Sequence, residues 1–148
     1  MIAKEIMTTD VVTVKPDTPV PEVARIIATQ GISGLPVIDD EDCIVGIVTE
    51  DNLLLKHDKV EAPHRLALFG FWVVPEAPLV EAYKNARGSA TARDVMTSDV
   101  VTFEEADDVG KIAETMVRRR INRVPIVRDR KLVGIVTRGD ILRAIAGI

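Results

Sequence analysis

The sequence predicts a mixed α/β (α+β) fold, two β-α-β-β-α repeats packed about a pseudo-twofold axis, and three observations predict it. The chain repeats itself. Each copy alternates short β-branched runs with helical apolar stripes. One copy, at about fifty residues, buries too little apolar surface to stand alone, so two must share their packing.

The repeat is read directly. Ala3-Lys4-Glu5-Ile6-Met7-Thr8-Thr9-Asp10-Val11-Val12-Thr13-Val14 recurs as Ala92-Arg93-Asp94-Val95-Met96-Thr97-Ser98-Asp99-Val100-Val101-Thr102-Phe103, with seven of twelve positions identical. Gly31 to Ile38 aligns with Arg120 to Val127 at the same offset of 89. After a slip of one residue, Val45-Gly46-Ile47-Val48-Thr49 returns unchanged as Val133-Gly134-Ile135-Val136-Thr137. Residues 1–56 and 92–148 are therefore two copies, and residues 57–91 are an unrepeated, aromatic-rich connecting insert in which Glu76 to Arg87 reads as a short helix stopped by Gly88.

Each copy opens with a β-branched run, Val11 to Val14 or Val100 to Phe103, which predicts a strand. A helix follows, with Thr18 or Asp107 as expected N-cap and Pro19 at the first helical position of copy one. Its apolar face is Val20, Val23, Ala24, Ile27 and Ala28, matched by Val109, Ile112, Ala113, Met116 and Val117. Two apolar runs come next, Leu35–Ile38 and Cys43–Val48, joined by the acidic turn Asp39-Asp40-Glu41-Asp42. Copy two has Val124–Val127 and Lys131–Val136 around Arg128-Asp129-Arg130, and both read as hairpins. A closing helix starts after Thr49 or Thr137, whose hydroxyls are placed to cap it.

These residues resemble the CBS domain, named after cystathionine β-synthase. The resemblance rests on Gly134-Ile135-Val136-Thr137-Arg138-Gly139-Asp140, on Ile121-Asn122-Arg123-Val124-Pro125, and on Val95-Met96-Thr97 with Val100-Val101-Thr102. It covers residues 3–56 and 92–145. It implies a tandem CBS pair that holds an adenosine ligand (AMP, ADP, ATP or S-adenosylmethionine) in clefts between its repeats. No other cofactor is expected.

Under that resemblance, Asp140 accepts both ribose hydroxyls. Thr137 sits at a helix N-terminus that favours phosphate. Val100, Thr102 and Ile121 wall the adenine, and Arg123 grips phosphate oxygens from the central cleft. Thr97, Asn122 and Pro125 complete the set for repeat two. The corresponding set in repeat one is Thr8, Val11, Thr13, Ile32, Ser33, Pro36, Thr49 and Asn52. It departs from the pattern, because Asn52 stands where the family has Asp and Gly34 where repeat two has Arg123. The repeat-two site is expected to bind and the repeat-one site to be weak or empty. Asp140, Thr137 and Thr49 have a plainer alternative as first-turn and cap residues.

No P-loop, G-x-S-x-G or Cys/His pairing is present, so no catalysis is expected. His57 and His64 lack partners at ligand spacing, so no metal is expected either. Net charge is −4, unlike a nucleic-acid binder, although residues 1–56 carry −6 and residues 92–148 carry +2. The resemblance implies a homodimer, and that split leans towards head-to-tail pairing. With one cysteine, no apolar run long enough for a bilayer and no signal-like start, a cytoplasmic protein is expected. The resemblance, with no kinase, transporter, channel or dehydrogenase domain beside the pair, implies an effector in trans. Four of the five aromatics, Phe69, Phe71, Trp72 and Tyr83, fall in the insert. They suit a strap over its own pair, a dimer surface or a lid.

Overall fold

The computed structural model describes residues 1–54 and 90–148. The readings made for the insert and its aromatics lie outside the described residues, apart from Ala90 and Thr91. The first repeat contains α1 (Ala3–Ile6), α2 (Val20–Gln30), β1 (Gly34–Ile38), β2 (Ile44–Thr49) and α3 (Glu50–Leu54). The second contains α4 (Ala92–Val95), β3 (Phe103–Glu104), α5 (Val109–Arg119), β4 (Arg123–Arg128), β5 (Lys131–Thr137) and α6 (Arg138–Ala146).

Both hairpins form as expected. β1 pairs antiparallel with β2, Leu35 opposite Val48, and β4 with β5, Val124 opposite Val136. Both registers shift at the same relative place, between Val37 and Ile38 and between Ile126 and Val127. The second hairpin turns through Asp129 and Arg130, both at positive φ, the conformation a two-residue turn between twisted strands requires. The first turn is wider, and Asp39 Oδ1 holds it by accepting from the Glu41 and Cys43 amides. That difference in turns is the one-residue slip seen in the sequence.

The opening strands are shorter than expected. Of Val11–Val14 only Val14 pairs, as a parallel bridge to Val37; its equivalent Phe103 begins a two-residue strand beside β4. The residues just before them line clefts instead. The helix caps sit one residue later than expected. Pro19 occupies the N-cap of α2, while Thr18 Oγ1 accepts from the Lys15 amide. Asp108, not Asp107, caps α5, accepting from the amides of Gly110 at 2.8 Å and Lys111 at 3.3 Å. The buried stripe is also narrower. Val20, Val23 and Ile27 are buried, but Ala24 and Ala28 are exposed, and Ile112 and Met116 are buried while Val117 is not. Each outlier lies one residue, about 100°, round the helix from the row that meets the sheet.

The two cores do not follow the sequence repeats. The first comprises Val14, Val20, Val23, Ile27, Leu35, Val37, Val48 and Leu53, completed by Ala92 and Val95 from α4. The second comprises Ile112, Met116, Val124, Ile126, Val136 and Ile141, completed by Ala3 from α1. Each repeat lends its opening helix to the other. Backbone bonds fix the exchange. Ala3 N donates to Asp107 O and Ala92 N to Thr18 O, each at 2.8 Å. Thr8 then exchanges two backbone bonds with Ile135, and Thr97 does the same with Ile47. The segments after α1 and α4 are thereby clipped onto the far repeat's second hairpin strand.

Candidate functional site

The exchange creates two clefts, each with walls from both repeats. The first, of about 630 Å³, lies between the opening segment of repeat one and the β5–α6 junction. Thr8, Asp10, Val11, Val12, Ile32 and Pro36 face Ile135, Thr137, Arg138 and Gly139 across it. The second, of about 290 Å³, lies between the opening segment of repeat two and the β2–α3 junction. There Thr97, Asp99, Val100, Val101, Arg120 and Ile121 face Ile47, Thr49, Glu50, Asp51 and Asn52. Ser33, Asn122 and Arg123 line both. The first volume lies within the range of small-molecule sites, and the second sits at its lower edge.

This grouping differs from the one read along the sequence. Thr137 does not share a cleft with Thr97, Val100 and Ile121; it shares one with Thr8, Val11 and Ile32. The physical reason is the exchange of opening segments, which carries each apolar wall to the other repeat's closing helix. Four expected residues stand apart from the lining. Thr13 is half-buried, Thr102 is exposed, and Pro125 is buried within β4 opposite Ile135. The fourth is Asp140, which reaches the first cleft only through Thr137, to which it is bonded.

Asp140 is 7% exposed, and both of its carboxylate oxygens have partners. Oδ2 accepts from the Thr137 amide at 2.7 Å and from Thr137 Oγ1 at 2.9 Å, while the Asp140 amide donates back to Thr137 Oγ1. This is a reciprocal capping box at the start of α6. Oδ1 accepts from Arg143 Nη2, whose side chain is largely exposed. Asn52 makes the same cap on α3, with Oδ1 accepting from the Thr49 amide at 2.8 Å and from Thr49 Oγ1 at 2.9 Å. Its amide group has one further use. Asn52 Nδ2 donates to Thr97 Oγ1 at 3.4 Å, a long bond that ties the two repeats across the smaller cleft. A carboxylate at Asp140 has no proton to make the equivalent tie.

The junctions differ most in charge. Arg138 and Gly139 in the first cleft occupy the places that Glu50 and Asp51 occupy in the second. A phosphate entering beside α6 meets a cation and a helix N-terminus; one entering beside α3 meets two carboxylates. Arg138 is a lining residue absent from the expected set, and the signal that finds it is the aligned pair Arg138 and Glu50.

Arg123 stands between the clefts. Its Nη2 donates to Ser33 Oγ of the other repeat. Burial pushes the guanidinium below its usual pKa, and the nearby Glu50 and Asp51 oppose that shift. Gly34, its counterpart, lies against it: a Cβ there would overlap Arg123 Nη1 and fall 2.9 Å from Val48 O. Two equivalent positions in contact mark the pseudo-twofold axis, and there is room at it for one long side chain.

Among the described residues, no group of three or more His, Cys, Asp or Glu is placed to hold a metal ion. No helix among them is long and apolar enough to cross a membrane.

The CBS domain family model matches residues 3–57 and 92–147. An inosine-5'-monophosphate dehydrogenase from Methanocaldococcus jannaschii is 34% identical over 142 residues, which is 95% of this chain but 23% of that enzyme. The chain thus spans less than a quarter of that relative's length. Among solved structures, the CBS domain pair of protein MJ0100 in complex with 5'-methylthioadenosine and S-adenosyl-L-methionine superposes with a TM-score of 0.71 at 26% identity, covering 99% of this chain and 97% of that one. CBSX2 in complex with AMP gives a TM-score of 0.74 at 25% identity, covering 99% and 96%; CBSX2 is an Arabidopsis thaliana protein. A duplicated β-α-β-β-α unit, clefts built from both copies and these matches agree: the chain belongs to the CBS-domain family, as a tandem pair of CBS domains.

Proposed function

We propose that this CBS pair is a non-catalytic regulatory module that binds a phosphate-bearing adenosine ligand (AMP, ADP or ATP) in the first cleft and passes its occupancy to a protein partner in trans. The observation that carries the reading is the charge reversal between the two junctions, Arg138-Gly139 against Glu50-Asp51. Val11, Ile32 and Pro36 supply the apolar wall for a base. Thr137 and the first N–H groups of α6 face the phosphate position. Asp140 lies behind Thr137 as the ribose acceptor, and its partner Arg143 is largely exposed. The relatives solved with AMP and with S-adenosyl-L-methionine support the adenosine class.

Calorimetric titration with AMP, ADP, ATP and S-adenosylmethionine tests the reading. The expected result is micromolar binding of a phosphate-bearing ligand in preference to S-adenosylmethionine. If none of the four binds, the reading fails. A second reading, a scaffold whose clefts stay empty, is favoured by one observation: both Asp140 oxygens already have partners within the protein.

A route for signalling leads through the outer face of α5 and α6. There Ala113, Met116, Val117, Ile141, Leu142 and Ile145 line an apolar groove of about 480 Å³. Asn122, Arg138 and Leu142 belong to both this groove and the first cleft. Val117 is 80% exposed, Leu142 62% and Ile145 78%, an apolar patch of the kind that marks a contact surface. Head-to-tail pairing places this groove of the +2 repeat against the α2–α3 face of the −6 repeat in a second copy. That face offers Ile26, Ala24, Ala28 and Leu54. Leu142→Glu is expected to turn a homodimer into a monomer in sedimentation equilibrium; a wild-type protein already monomeric at tens of micromolar contradicts the dimer.

A further inference from the structure

We infer that the two clefts compete for one guanidinium, so that a chain holds one nucleotide phosphate tightly at a time. The inference rests on the reading of the clefts as adenosine sites and concerns how they are coupled.

Arg123 lines both clefts, and its half-buried guanidinium has no second copy across the pseudo-twofold axis. Its equivalent is Gly34. The missing Cβ there is what leaves Arg123 its place, because Nη1 occupies the space that carbon would fill. An arginine at both positions does not fit, since the same Cβ would also meet the Val48 carbonyl at 2.9 Å. A symmetric repeat offers each cleft its own central cation; this chain offers one between two.

The electrostatics make the sharing antagonistic. Arg123 balances Glu50 and Asp51 of the second cleft, the two carboxylates that face its charge. When a phosphate in the first cleft draws the guanidinium towards itself, those carboxylates lose their counter-ion and repel a second phosphate more strongly. Each cleft retains one further lining arginine, Arg138 in the first and Arg120 in the second, so each still has a cation of its own. Of these three arginines only Arg123 lines both clefts. Coupling through it is reciprocal, since the effect of either occupant on the other is the same free energy.

Site-resolved titration of the full chain with AMP tests this, following the methyl signals of Val12 for the first cleft and Val100 for the second. Val11→Trp fills the first cleft. It is expected to strengthen AMP binding in the second cleft by about tenfold, the scale of an ordinary site-to-site coupling. In an Arg123→Gln background the same substitution is expected to change second-cleft affinity less than about twofold. Should Val11→Trp unfold the chain, Ile32→Trp fills the same cleft from another wall. Adenosine, which lacks the phosphate, is expected to bind without coupling. Second-cleft affinity that ignores blockage of the first, or coupling that persists without Arg123, overturns the inference and leaves the nucleotide reading standing. Failure of AMP to bind either cleft removes both.

Discussion

Asp140→Ala is expected to weaken AMP binding by about 10- to 100-fold, the equivalent of charge-assisted hydrogen bonds worth roughly 1.5–3 kcal/mol. It is also expected to lower stability by about 1 kcal/mol, because the Thr137 amide loses its acceptor and α6 its capping box. The two effects separate in Asp140→Asn. Asn52 shows that a carboxamide makes the same cap on the equivalent helix. The Asn variant is therefore expected to keep wild-type stability to within a few tenths of a kcal/mol while losing the carboxylate proposed as the ribose acceptor. Calorimetric titration and thermal unfolding, run on both variants, separate binding from capping. AMP affinity that survives both substitutions reduces Asp140 to a capping residue.

Gly34→Ala is expected to cost about 1–3 kcal/mol of stability, the range for forcing an extra carbon into packed structure. Its Cβ would overlap Arg123 Nη1, which can move, and stand 2.9 Å from the Val48 carbonyl, which is held in the β1–β2 ladder. The substitution also expels the guanidinium from the axis, so AMP affinity falls as far as it does in Arg123→Ala. The double variant Gly34→Ala/Arg123→Ala is the informative one. Removing the side chain that the new carbon strikes should restore part of the stability, giving a favourable coupling of about 0.5–3 kcal/mol in a double-mutant cycle. Denaturant unfolding of the wild type, both single variants and the double variant measures it. Strict additivity would mean that the two positions do not meet as described.

Much of the fold is legible in the chain, and the reason differs from part to part. The hairpins and long helices are readable because apolar period and turn residues are local properties. Leu35–Ile38 and Val124–Val127 need nothing distant to declare themselves. The opening strands are not, since Val11–Thr13 has the composition of a strand but makes no ladder, and pairing is a tertiary fact. The capping residue of α5 falls one position from its expected place because two adjacent aspartates, Asp107 and Asp108, both qualify and only geometry chooses. The candidate site is half legible. Thr137 and Arg123 line clefts as expected and Asp140 does not, while Val11, Ile32 and Pro36 beside Thr137 come from the other repeat. Two copies with nearly the same motif carry no record of which opening segment packs on which closing helix. The charge reversal at Arg138 and Glu50 is written in the aligned repeats, but it gains meaning only once each residue has a cleft to line.

The exchanged opening helices also bear on how the chain reaches its fold. Neither half is a finished object, because Ala3 must travel to Ile112 and Ala92 to Val14 before either interior is sealed. Those closures join residues 109 and 78 positions apart, so their chain entropy is spent before most of the burial is recovered. The first interior needs the chain only as far as α4, whereas the second needs α6 together with the opening helix, so neither is sealed by one repeat alone. Because both clefts are walled by the same exchanged segments, the two halves form one interlocked body.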